Sequence, residues 1–192
     1  MMEPPWFILI LINCINSFGG GTTSIFETPN GEFITEVDVS EDNQKIALIT
    51  NNTNGYNSNL YIINFQGEIL DHILGNVEVA LGGLDISVRG DLLLYSHDVS
   101  VFENESYRRL DSRIFLHDLT TGETTDLSLE KEGGINDLDP RFSPNEAEVI
   151  FVNTSNDGIS QRDIYRMLID EDDIFIEDRT LIIENGVMPD WE

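Results

Sequence analysis

Three short apolar runs punctuate the chain: IALIT from Ile46 to Thr50, LLLYS from Leu92 to Ser96, and VIFVN from Val149 to Asn153. None alternates with polar residues, so each reads as a strand with both faces covered rather than one with a wet side. A second run follows each of them after a polar turn: LYIINF from Leu60, RIFLHDL from Arg113, and IYRMLI from Ile164. A serine precedes each of the first runs, Ser40, Ser87 and Ser143. Before that serine lies a shorter entering strand, Val37–Val39, Leu84–Ile86 or Asp139–Phe142. Turns such as Gln66-Gly67-Glu68 and Thr121-Gly122-Glu123 lead on to a ragged outer strand. The pattern predicts four antiparallel strands per unit.

The units repeat. Anchors at Asp38, Asp85, Arg141 and Asp190 lie 47, 56 and 49 residues apart. The long interval comes from about seven extra residues in one hairpin loop, between His97 and Arg113. A loop insertion of this kind is how repeats vary. Sheets that are greasy on both faces need like sheets stacked against them, and radial packing of blades at 40 to 50 residues per unit supplies that. The expected fold is therefore all-β: about three β-propeller blades over 33–80, 81–135 and 136–188, with the start of another at 189–192. Three units and one starting strand do not close a ring, so the expectation is an incomplete propeller with sticky open faces, a piece of a longer chain or one that self-associates.

The third unit carries the most specific motif: Asp139-Pro140, then Phe142-Ser143-Pro144-Asn145, Val149–Val152, Asn156-Asp157-Gly158 and Asp163-Ile164-Tyr165. It resembles the WD40-like propeller repeat of TolB-type proteins, with Phe142, Asn145 and Glu146 at positions where that family has Trp, Asp and Gly. Pro189-Asp190-Trp191 is similar to the opening of a further copy. The resemblance covers roughly residues 33 to 192. It implies a periplasmic or surface-exposed propeller that binds protein partners in the cell envelope without catalysing a reaction. The same repeats also form the propeller portion of serine peptidases, which is the alternative reading.

Charge narrows the partners. Thirty-six acidic residues against ten basic ones give a net charge of −26, a field that repels nucleic acid and anionic lipid. A protein partner or a divalent cation is compatible with it. The N-terminus bears on location. Trp6–Ile12 is an apolar run too short to span a bilayer but long enough for a signal-peptide core, followed by Cys14 and the small-residue tract Gly19–Thr23. Residues 1–23 thus read as a leader and tether. Cys14 is either the lipidated N-terminus of a bacterial lipoprotein or an incidental residue near an ordinary cleaved signal. Both of these imply export, to the periplasm or the cell surface, with any membrane contact made through the lipid anchor; a cytosolic chain with a greasy start is the third reading. Ser24–Thr28 is expected to add an outer strand to a neighbouring blade.

Little catalytic chemistry is legible. His72, His97 and His117 fall in unrelated positions without zinc spacing, and no nucleophile elbow or phosphate loop is present. No cofactor is expected. Calcium has one candidate, Asp170–Asp173, which lacks the spacing of a true calcium loop and reads first as a solvated hairpin tip. The inserted loop is the candidate binding element. Tyr107, Arg108, Arg109 and Arg113 put three of ten basic residues beside an aromatic. Tyr and Arg are favoured interface anchors, and long loops on rigid scaffolds carry binding. Against this stands a solvated tip whose arginines balance local acids.

Overall fold

The computed structural model of the protein describes residues 6–10, 13–18, 21–52, 57–78, 80–100, 102–104, 107–108, 110–129, 131–156, 162–169 and 179–191. Among them the structure is all-β, with one 3-10 turn at Pro29–Gly31 and no α-helix. No helix of the described residues is long and apolar enough to cross a membrane. The chain divides into two compact units, Met1–Val39 with Asn43–Glu78, and Ser40–Asp42 with Val79–Glu192.

In the first unit, β1 (Trp6–Ile10), β2 (Asn13–Phe18) and β3 (Gly21–Glu27) form an antiparallel meander. The tract expected to be a tether is, in its described part Gly21–Thr23, the start of β3. Ser24–Glu27, expected on the edge of a blade, instead pairs with β2. The first blade follows, from β4 (Phe33–Val39), β5 (Ile46–Asn51), β6 (Ser58–Ile63) and β7 (Ile69–Val77), in that order across the sheet. Every residue of β6 and the first five of β5 are buried, as the absence of alternation in these runs predicts.

The second unit holds two blades. One consists of β8 (Leu81–Ile86), β9 (Leu92–Asp98), β12 (Ser112–Asp118) and β13 (Thr124–Asp126), with a small hairpin of β10 (Phe102–Asn104) and β11 (Tyr107–Arg108) inserted between β9 and β12. The other consists of β14 (Ile135–Phe142), β15 (Glu148–Ser155), β16 (Arg162–Leu168) and β17 (Thr180–Ile183), and leads to the start of a fourth at Pro189–Trp191. The three four-stranded antiparallel sheets are the expected blades of an incomplete propeller.

The serine turns explain why the entering strand always folds back at the same place. Ser87 and Ser143 are buried. Each carbonyl accepts the N–H of the residue three further on, Gly90 or Glu146, at 2.8 Å. Each hydroxyl also accepts the N–H that opens the next strand, from Leu92 or Glu148, at 3.0 Å. Gly90 and Glu146 have φ of +70° and +59°, a region that favours glycine. Glu146 occupies it because its carboxylate accepts Arg89 N–H at 3.0 Å and Arg89 Nε–H at 2.7 Å from the preceding blade.

Packing between these two blades is apolar at its centre and polar along one seam. Leu94, Ile114, Leu116 and Leu127 of one blade meet Phe142, Val149, Phe151 and Met167 of the other. At the inner strands, Asp85 accepts the Phe142 N–H at 2.6 Å, and Arg141 donates to the Leu84 carbonyl at 3.2 Å. Gly83, with φ of +66°, sits where the backbones come closest: a Cβ there would stand 2.9 Å from Asp139 Cα. Beneath this seam Asp137, fully buried, accepts hydrogen bonds from Ser128 at 2.6 Å, Asn153 at 2.8 Å and both terminal nitrogens of Arg179.

Candidate functional site

The inserted hairpin is mounted on a fixed base. Its two legs are joined where Val99 N–H donates to the Asp111 carbonyl at 3.0 Å, one step beyond the Asp98–Ser112 register pair. Asp98, 1% exposed, accepts the N–H groups of Ser100 and Asp111, each at 3.0 Å, and the Ser100 hydroxyl. A buried carboxylate holding three donors from both legs is a turn clamp. The third blade adds a brace: Asn156 donates to the Leu110 carbonyl at 2.9 Å, and Asn136 accepts the Ser112 N–H at 2.9 Å and donates to Asn156 at 2.8 Å. This leaves the insertion with little freedom at its root, a condition for low ordering cost on binding.

Arg113, grouped with the tip by sequence, is turned inward. Its guanidinium bridges Asp126 at 2.8 Å and Asp111 at 2.9 Å, and its side chain is 26% exposed. Lys131, nearly buried, also reaches Asp111, at 2.5 Å, and the Ile135 carbonyl at 2.8 Å. Burial alone would raise the Asp111 carboxyl, but the hydrogen bonds and charges of Arg113 and Lys131 hold it below its ordinary value. Arg113 is raised in turn: the hydrogen bonds that its guanidinium donates to Asp111 and then to Asp126 stabilise its charge.

The sign of the pH effect follows. Asp111 is depressed in the folded state, so its stabilisation is present above the unfolded carboxyl value of about 3.9 and is lost as pH falls through the folded one. Asp111→Asn is expected to lower stability at neutral pH by on the order of 1 kcal/mol or less, since the cluster is partly screened. The gap to wild type should close as the solution is acidified. Urea unfolding at a series of pH values measures this, and a gap independent of pH would contradict it.

The other sequence candidates do not gather here. Tyr107 and Arg108 lie in β11, Phe102 pairing with Arg108 and Asn104 with Tyr107. Arg109 lies outside the described residues, as does Asp170–Asp173, the calcium candidate. Cys14 lies in β2, opposite Leu9 and Phe26. The histidines are packed separately: His72 stacks on Tyr61 at 4.4 Å, His97 tilts against Phe115 at 5.8 Å, and buried His117 shares a 2.7 Å hydrogen bond with Thr124. Among the described residues no group of three His, Cys, Asp or Glu side chains is placed to hold a metal ion. Of Asp98, Asp111, Lys131, Asn136 and Asn156, which build the base, only Asn156 falls in the repeat motif, and there it reads as a turn residue. Only their position beside an insertion could have drawn attention to them.

No family model matches the chain, and no curated protein matches it in sequence. Its fold does match solved structures. TolB from Acinetobacter baumannii is 16% identical with a TM-score of 0.57 over 87% of this chain and 39% of its own. A prolyl endopeptidase is 18% identical with a TM-score of 0.63, over 92% of this chain and 27% of its own. An oligogalacturonate lyase, solved in complex with manganese, is 14% identical with a TM-score of 0.67 over 94% and 50%. The chain thus spans half or less of each. It has the TolB-like β-propeller fold, which non-enzymatic proteins and enzymes share.

Proposed function

We propose that the protein is an exported, non-enzymatic binding scaffold of the bacterial cell envelope. Its inserted hairpin would contact a protein partner through Tyr107, Arg108 and Arg109. The observation that carries this reading is the built base: a buried aspartate clamp and an asparagine brace from the next blade hold the hairpin inserted between the second and third strands of this blade. A solvated tip needs no such mounting. Since Arg113 is engaged at the base, the contact set narrows to the tip. Export is supported by the apolar run before Cys14, and the mass of the mature N-terminus tests it, separating an acylated Cys14 from an ordinary cleaved signal.

The binding half of the proposal is tested with a photo-crosslinking residue at Tyr107 and a control at Glu123, an exposed turn residue elsewhere on the same blade. A specific adduct is expected at Tyr107 and none at Glu123. Arg108→Ala with Arg109→Ala should weaken capture of that partner about tenfold or more, in the range of interface anchors, without changing thermal stability. Equal capture by the double variant would remove the hairpin from the interface. A second reading follows from the likeness to prolyl endopeptidase, in which these blades would be the propeller of a peptidase. A nucleophile-elbow domain encoded with them would favour it.

A further inference from the structure

Most of the cations that the structure places are taken up inside it. Lys45 and Lys131 are the only lysines, and the Lys131 side chain is 4% exposed. Arg179 and Arg113, at 17% and 26%, close on Asp137 and on Asp111 with Asp126. Arg89 holds the buried Glu146 carboxylate across the seam between blades, and Arg141 donates to the Leu84 and Pro140 carbonyls. The exterior is left to the acids. Among the described residues ten Asp or Glu are exposed against two Arg, Arg89 and Arg162. The excess belongs to each unit by itself: eight acidic residues to one basic in Met1–Val39 with Asn43–Glu78, and twenty-eight to nine in the other.

This division decides the sign of a salt effect. Folding gathers the exposed carboxylates closer than they stand in the extended chain, so a net charge of −26 opposes the compact state through self-repulsion. Exposed charges are screened over a Debye length that falls from about 30 Å at 0.01 M salt to about 3 Å at 1 M. Buried and half-buried pairs are screened far less. Added salt therefore weakens the repulsions, which lie outside, and leaves the attractions at Asp111, Asp137 and Glu146 largely in place. In a chain whose ion pairs lay on the surface, the two effects would offset each other.

We infer that this fold depends on salt: counter-ions must screen an acidic exterior because the chain's own cations are engaged at the blade seam and the hairpin base. The dependence is diffuse, since among the described residues no three His, Cys, Asp or Glu side chains are grouped to hold an ion. The inference does not rest on the hairpin proposal.

Thermal unfolding of the full chain in KCl from about 0.01 to about 1 M tests it. The wild-type midpoint is expected to rise throughout, by about 10 °C or more in total. NaCl should act as KCl does. Glu27→Lys, Glu123→Lys and Glu132→Lys together reverse three exposed charges. That variant should melt higher than wild type at the lowest salt and gain less from added salt, the two curves converging at the highest. Glutamine at the same three positions should fall between them, and it serves where the lysine variant fails to fold. A wild-type midpoint that stays flat or falls with KCl would overturn the inference, as would a response to only one of the two salts. Variants that gain as much from salt as wild type would also overturn it, because the rise would then come from stronger apolar burial in salt.

Discussion

Replacing Asp137 by alanine is expected to cost about 3–5 kcal/mol, the range for removing one partner of a buried ion pair. Its carboxylate is fully buried and accepts from Ser128, Asn153 and Arg179. The Arg179 side chain is only 17% exposed, so alanine would strand a charge with poor access to water. Ser128 would also lose the acceptor for its hydroxyl, which in turn positions that oxygen to accept the Ile114 N–H at 3.0 Å. The loss should therefore spread into the neighbouring blade. Denaturant unfolding with hydrogen exchange at Ile114 measures both effects. A cost near 1 kcal/mol, or a loss confined to the third blade, would mean that Arg179 finds solvent or another acid when Asp137 is gone.

Phe151→Ala should rival it, at about 3–5 kcal/mol. Phe151 is completely buried in the apolar joint between the two blades, and its ring also lies under the Arg179 guanidinium, 4.8 Å from centroid to Cζ. The ring thus serves packing and also holds the cation that Asp137 neutralises. The two substitutions share Arg179, so their costs should not add: a double-mutant cycle should give a coupling of about 0.5–3 kcal/mol. Additivity within a few tenths would show that ring and carboxylate act separately. Phe151→Leu, which preserves most of the volume, should lose markedly less.

The parts of this architecture visible in the sequence are those that recur. The serine turns and the unalternating runs at Ile46, Leu92 and Val149 appear three times at related spacings, and repetition separates a signal from chance. Asp137 shares its strand with Asp139 and belongs to no repeated motif, and nothing local distinguishes a buried acceptor of four hydrogen bonds from a surface carboxylate. Arg108 and Arg113 are five residues apart and of one type, yet Arg113 is taken up by Asp111, two residues before it, and by Asp126, which strand register brings across. Ser24–Thr28 is a related case: its composition suits an outer strand of a blade, and only the folded sheet reveals that β3 pairs with β2 and that Phe26 packs among Ile34, Ile46 and Tyr61.

The seam between the second and third blades has a consequence for how such a chain could be rearranged. Its contacts are specific to their places: Asp85 takes an amide from the following strand, Arg89 answers Glu146, and Gly83 yields room to the Asp139 backbone. At the matching positions the third unit carries Arg141, Asn145 and Asp139. The modules share an outline but not a lock and key. Putting the third unit in the second one's place would leave the sheet intact while mismatching this border, so the order of these two units is itself encoded, residue by residue, along their shared edge.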